Sequence, residues 1–130
     1  MAAVLCIALL SGTVMARLEV ADFTLSWRHS IEKIEWQEDW HLDPAGLELV
    51  RARVRGSGAG MDPPADAAAI DGWWQYDPHL APVARLTLAR SGMVPDHLLC
   101  IAGECRPLGT VAGNVADDVP LVLSPCGAGP

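Results

Sequence analysis

The sequence predicts an all-β domain, an antiparallel β-sandwich or barrel-like fold of about eight short strands. Three observations point there. From Glu19 onward the apolar residues recur with a period of two, no segment sustains a helical period, and turn signals punctuate the runs at regular intervals. At 130 residues, with 51% hydrophobic content and a mean hydropathy of +0.24, the chain carries enough apolar side chains for one core. No internal repeat or low-complexity linker calls for a second domain.

Taken in order, the first strand runs from Ala21 to His29 and the second from Lys33 to Leu42, joined by a tight link around Ser30 to Glu32. Asp43-Pro44-Ala45-Gly46 is a turn by composition, with Pro fixing φ at its start and Gly free to take a positive value. The third strand, Leu47 to Arg55, alternates inward Val50, Ala52 and Val54 with Arg51, Arg53 and Arg55. Arginines on one face beside an acidic strand predict cross-strand ion pairs, each worth at most about 1 kcal/mol when exposed. Gly56-Ser57-Gly58-Ala59-Gly60-Met61 breaks the sheet, and Asp62-Pro63-Pro64 delays its return. Asp66 to Ile70 reads as a single helical turn, Gly72 to Tyr76 as a compact aromatic strand, and Val83 to Arg90 as a strand with Leu86 and Leu88 inward. His97 to Ile101 and Cys105 to Leu108 form a hairpin, Gly109 to Asp118 a loop, and Leu121-Val122-Leu123 a short last strand.

Ala2 to Leu10 form an apolar run of signal-peptide length, and Val14-Met15-Ala16 places small or apolar residues at a cleavage position. Residues 1–16 therefore read as a signal peptide and 17–130 as a single periplasmic or secreted domain. No Lys or Arg precedes Arg17, so the usual basic start is missing, which a start codon placed too late would explain. Ser11, Gly12 and Thr13 interrupt the run well short of the roughly 20 apolar residues that a spanning helix needs, which argues against stable membrane insertion. With Cys6 removed, Cys100, Cys105 and Cys126 remain. The four residues between Cys100 and Cys105 suit a hairpin that faces the two sulfurs, leaving Cys126 free; a Cys105 to Cys126 bridge that ties down the tail is the alternative. His97, three residues before Cys100, fits no common zinc spacing, and no metal is predicted.

Nine basic residues against 16 acidic ones give a formal charge of −7, and Lys33 is the only lysine. Such a chain has no electrostatic footprint for nucleic acid or for an anionic membrane surface. Glu32, Glu35, Glu38, Asp39, Asp43 and Glu48 crowd one short span, a solvated strand face by default and otherwise an attraction for a cation or a basic partner.

Two ionisable groups break the alternation. Ile34, Trp36, Trp40 and Leu42 share a strand face with Glu38, and Phe23, Leu25 and Trp27 share one with His29. On antiparallel neighbours these faces are one, and burying an imidazole beside a carboxylate costs less than burying either alone. Such a pair either locks two strands together or lines a binding pocket. Ser30 falls on the opposite face of a regular strand, which gives little support to a Ser-His-acid arrangement. The glycine segment can turn successive amides toward an anion, yet it lacks the Gly-Lys-Ser/Thr ending of a nucleotide loop. Five tryptophans stand against one Phe and one Tyr, and their indole N–H groups need partners when buried. The candidate ligand-binding set is His29, Glu32, Trp36, Glu38, Trp40, Gly56, Ser57, Gly58, Ala59, Gly60, Met61 and Trp73. No catalytic residue and no cofactor are assigned.

Phe23-Thr24-Leu25-Ser26-Trp27-Arg28-His29-Ser30-Ile31-Glu32-Lys33, Trp36-Gln37-Glu38-Asp39-Trp40, Gly56-Ser57-Gly58-Ala59-Gly60-Met61 and Asp71-Gly72-Trp73-Trp74 resemble the bacterial family called domain of unknown function 1850, over most of the chain from Phe23 to Cys126. The resemblance implies a small exported protein encoded beside TRAP transporters of the TAXI subclass. It implies an accessory role in uptake, with the transporter's membrane subunit or its solute-binding protein as partner, and supplies no catalytic residues. The resulting expectation is an exported accessory protein that binds a small solute, such as an organic acid, or the transporter's periplasmic surface. A small periplasmic hydrolase with His29 as base and a purely structural interaction domain are the alternatives.

Overall fold

A computed structural model describes residues 3–28, 35–55 and 67–126. Along the chain the described elements are β1 (Val4–Ala8), β2 (Val14–Glu19), β3 (Asp22–Arg28), β4 (Glu35–Asp43), β5 (Gly46–Arg55), β6 (Ala68–Ile70), β7 (Trp73–Tyr76), β8 (Leu86–Leu88), β9 (Leu98–Ile101), β10 (Glu104–Pro107), the single helical turn α1 (Leu108–Val111) and β11 (Leu121–Pro125). They form two antiparallel sheets. The smaller has the order β2-β1-β11-β8, the larger β10-β9-β3-β4-β5-β7-β6, and neither closes into a barrel. Among the described residues no helix is long and apolar enough to cross a membrane.

The larger sheet grows from the β3–β4–β5 meander that the alternation predicts. Phe23 pairs with Trp40, Leu25 with Glu38 and Trp27 with Trp36, so matching phases of the two strands share a face. The core lies between the sheets. Leu5, Ile7, Leu121 and Leu123 from the smaller sheet meet Phe23, Leu25, Trp40, Leu42, Leu47, Leu49 and Leu99 from the larger, and Leu108 and Ala112 close one end. Each fully buried leucine or isoleucine contributes about 1.5–3 kcal/mol of transfer free energy.

Charged residues also hold the loops. Arg90, only 6% exposed, donates from Nε and Nη2 to the two carboxylate oxygens of Asp96, each at 2.9 Å, and from Nη1 to the carbonyls of Ala116 and Val119 at 2.7 Å. Asp96 also accepts the Gly109 N–H at 2.8 Å. Burial opposes ionisation of Asp96, but the Arg90 hydrogen bond, the Gly109 N–H and the Arg90 charge together hold its carboxyl below the usual range. A guanidinium satisfied in this way ties three loop segments together without leaving a buried charge unpaired.

Within the segment read as a leader, Val4–Ala8 form β1 and Val14–Ala16 the start of β2: β1 lies between β2 and β11, Leu5 and Ile7 are fully buried, and Cys6 is bonded to Cys126. Cys126 is therefore not free. A continuous apolar run suits a strand with both neighbours in place as well as it suits the core of a signal peptide, and periodicity does not separate the two. The Cys100–Cys105 bridge forms as expected, between residues directly opposite in the β9–β10 hairpin. Val50 does not face inward; a bulge between Leu49 and Arg51 reverses the phase, so Leu47, Leu49, Ala52 and Val54 are buried and Val50 is 40% exposed. Ala68–Ile70 is a strand paired with β7 rather than a helical turn, and α1, which seats Leu108 in the core, takes the last residue of the expected Cys105 to Leu108 strand and the start of the expected Gly109 to Asp118 loop. With β1, β2 and the edge strand β6 the total among the described residues rises from about eight to eleven.

Candidate functional site

Cross-strand register converts the alternation of single strands into rows across the larger sheet. On its inner face one row reads Leu99, Leu25, Glu38, Ala52, Tyr76, and the next reads Trp27, Trp36, Val54, Trp74. Leu25 and Leu99 belong to the core between the sheets, and Trp27 packs against it, whereas Trp36, Glu38, Trp74 and Tyr76 stand outside that cluster. An aromatic end of the inner face results.

Its geometry is specific. The Trp27 and Trp36 rings stack with centroids 6.1 Å apart and planes 7° from parallel, and the His97 ring lies 5.9 Å from Trp27. Among the described residues, Trp36 Nε1 is a buried polar atom without a hydrogen-bond partner. A donor left unmet in such surroundings costs about 1–3 kcal/mol, a cost that an incoming acceptor removes. Glu38, half-buried, accepts a 3.2 Å hydrogen bond from Trp40 Nε1. Burial pushes the Glu38 carboxyl up, and the Trp40 hydrogen bond offsets only part of that shift. The Tyr76 hydroxyl is raised as well, first by burial and then by the charge of Glu38. Burial lowers His97, with Asp96 opposing and Arg90 adding to the effect, so its imidazole is predominantly neutral at pH 7. The cluster thus offers stacked indoles, one N–H unmet among the described residues, and a half-buried carboxyl whose pKa burial raises. It is suited to binding a partly apolar solute through an oxygen acceptor.

The outer face of the same strands is paired within itself. Arg53 donates to both carboxylate oxygens of Asp39 at 2.7 and 2.8 Å and to Gln37 at 3.1 Å, Thr24 donates to Asp39 at 2.7 Å, and Arg51 approaches the same carboxylate at 3.5 Å. Burial works against the Asp39 charge, but the hydrogen bonds from Arg53 and Thr24 and the two guanidinium charges hold its carboxyl low. These are the cross-strand ion pairs that the arginine alternation predicts. They line one side of a shallow groove beside the Cys100–Cys105 bridge.

Of the residues singled out from the sequence, Trp36, Glu38 and Trp40 share the inner face. Trp73 does not: it pairs with Arg55, whose guanidinium lies 5.3 Å above its ring, on the outer face. His29, Glu32 and the segment Gly56, Ser57, Gly58, Ala59, Gly60, Met61 lie outside the described residues, and so does the expected pairing of His29 with Glu38. The sequence-derived set did not include Trp27, Trp74, Tyr76 or His97. Trp27 was legible, since it shares a phase with Phe23 and Leu25; Trp74 and Tyr76 were not, because only the β5–β7 register tells which of two adjacent tryptophans faces inward.

The family model described as domain of unknown function (DUF1850) matches residues 23–108. The chain belongs to this family. In this DUF1850 protein the matched span begins inside β3 and ends at the first residue of α1, so it takes in the larger sheet with its aromatic end and leaves out β1, β2 and β11. No curated protein and no solved structure matches the chain.

Proposed function

We propose that this DUF1850 protein is a binding domain without catalytic activity, an exported accessory of a TAXI-type TRAP uptake system that engages a small solute or the transporter's periplasmic surface. One observation carries the reading: Trp36, whose buried N–H has no partner among the described residues, stacks on Trp27 and lies one alternate position from the half-buried Glu38 carboxyl, which burial pushes up. A small organic acid suits this arrangement, its oxygen accepting from Trp36 Nε1, its carbon body lying against the indoles, and Glu38 sharing a hydrogen-bonded proton with it. His29, Glu32 and the amides of Gly56–Met61 are assigned to the same site, His29 and the amides to meet the anionic group. Two disulfides suit an oxidising compartment. The TRAP membrane subunit or solute-binding protein is the partner that the family resemblance implies.

Thermal-shift measurements against organic acids and amino acids test the solute reading. A solute present at about 100 times its Kd raises the wild-type melting temperature by about 10 °C for a domain of this size. The folded Trp36→Phe variant, which keeps a ring but has no N–H, shows a much smaller rise. No response across the panel, together with no co-purification with the membrane permease, overturns the proposal.

A further inference from the structure

We infer that residues 4–19 are retained in the mature protein as a permanent hairpin of the smaller sheet, cross-linked to the last strand through Cys6 and Cys126. β1 is an interior strand. Leu5, Cys6 and Ile7 pair with Leu18, Arg17 and Ala16 on one side, and with Pro125, Ser124 and Leu123 on the other. Cleavage after Ala16 removes all of β1 and Val14–Ala16 of β2. What is left of β2 then has no partner, and β11 has a bare edge where β1 stood. Leu5 and Ile7, both fully buried, leave the core, and Leu121 and Leu123 lose the side chains packed with them.

The chain ends converge here independently of the sulfurs. The Cys126 N–H donates to the Val4 carbonyl at 3.0 Å, extending the β1–β11 ladder by one bond, and the Cys6 and Cys126 Cα atoms stand 5.7 Å apart, inside the range a disulfide spans. Cys6 itself is 2% exposed. Bond formation takes two protons and two electrons from the two thiols and passes them to a disulfide oxidant, which leaves as two thiols. The apolar run at residues 4–10 is in this view the composition of a doubly paired strand. A signal that directs export of this chain then lies outside residues 4–19. The inference does not depend on the proposed solute site.

The test is intact mass and disulfide mapping of the full chain, carrying a C-terminal tag, produced in bacteria and purified from both the cytosolic and periplasmic fractions. Cytosolic material is oxidised with glutathione disulfide before mapping. Retention predicts a mass that includes residues 4–16, a nonreducing digest in which the Cys6 peptide is joined to the Cys126 peptide, and no maleimide-reactive thiol in denaturant. Cys6→Ser then exposes one reactive thiol, at Cys126, and lowers the melting temperature by about 10 °C or more. A mature chain beginning at Arg17, or oxidised full-length protein in which Cys6 and Cys126 both react or pair elsewhere, overturns the inference. Should Cys6→Ser not fold, the wild-type mass and map decide alone.

Discussion

Glu38 is the residue at which the alternation rule and the observed packing pull in opposite directions. A carboxyl at an inward position opposite fully buried Leu25 loses hydration that a single hydrogen bond from Trp40 does not replace. Its raised pKa means that, between the ordinary carboxylate value and the raised one, the folded protein holds a proton that the unfolded chain has released. The associated stability is present at low pH and is lost as pH rises through the folded value. Glu38→Gln keeps an acceptor for Trp40 and removes the titration. Urea midpoints measured from about pH 4 to about pH 7 are therefore expected to rise for the variant relative to wild type as pH increases; parallel profiles for the two proteins contradict this account. Glu38 was legible because a period-two face needs only local sequence. The environment of Trp36 was not, since its stacking on Trp27 depends on a register set by two strands together.

At the scale of elements, close approaches and phase changes decide the local structure. A Cβ on Gly109 would stand 2.5 Å from both Arg90 Nη2 and the Val115 carbonyl oxygen. Neither neighbour can yield cheaply, because Arg90 is held by Asp96, Ala116 and Val119. Gly109→Ala is expected to destabilise the domain by about 2–4 kcal/mol in denaturant titrations, whereas a loss below about 0.5 kcal/mol would show that α1 shifts freely. The bulge in β5 was present in the sequence, for Leu47 and Leu49 occupy odd positions and Ala52 and Val54 even ones; a single phase carried through the strand put Val50 inward. The edge strand β6 was misread as helical because Asp66 to Ile70 is rich in alanine, and pairing with β7 overrides that propensity. The Arg90–Asp96 pair had no sequence signal beyond two charges six residues apart, and only the folded loops bring the carboxylate and the two carbonyls around Arg90 together.

For the whole molecule, the two disulfides differ in what they constrain. Cys6–Cys126 joins residues 120 apart and Cys100–Cys105 residues 5 apart. Loop-closure entropy assigns them about 5 and about 2 kcal/mol respectively. Replacing both cysteines of the long pair by serine is thus expected to lower the urea midpoint roughly twice as far as the same change in the short pair. Equal losses would mean that the denatured chain already keeps its ends together. The hairpin bridge was readable from spacing alone; the long one was hidden because the first cysteine lay in a segment that resembled a leader.

Placing the first and last described strands side by side has a consequence for when the domain can be completed. All seven strands of the larger sheet fall between residues 22 and 107, with β8 of the smaller sheet among them, and can assemble while synthesis is still under way. The smaller one waits, since β1 reaches its neighbour β11 only after more than a hundred intervening residues have passed. Until then the leucines of one layer have nothing to meet. A polypeptide built this way keeps one side of its core open until its tail is made, and the last strand is the piece that seals it.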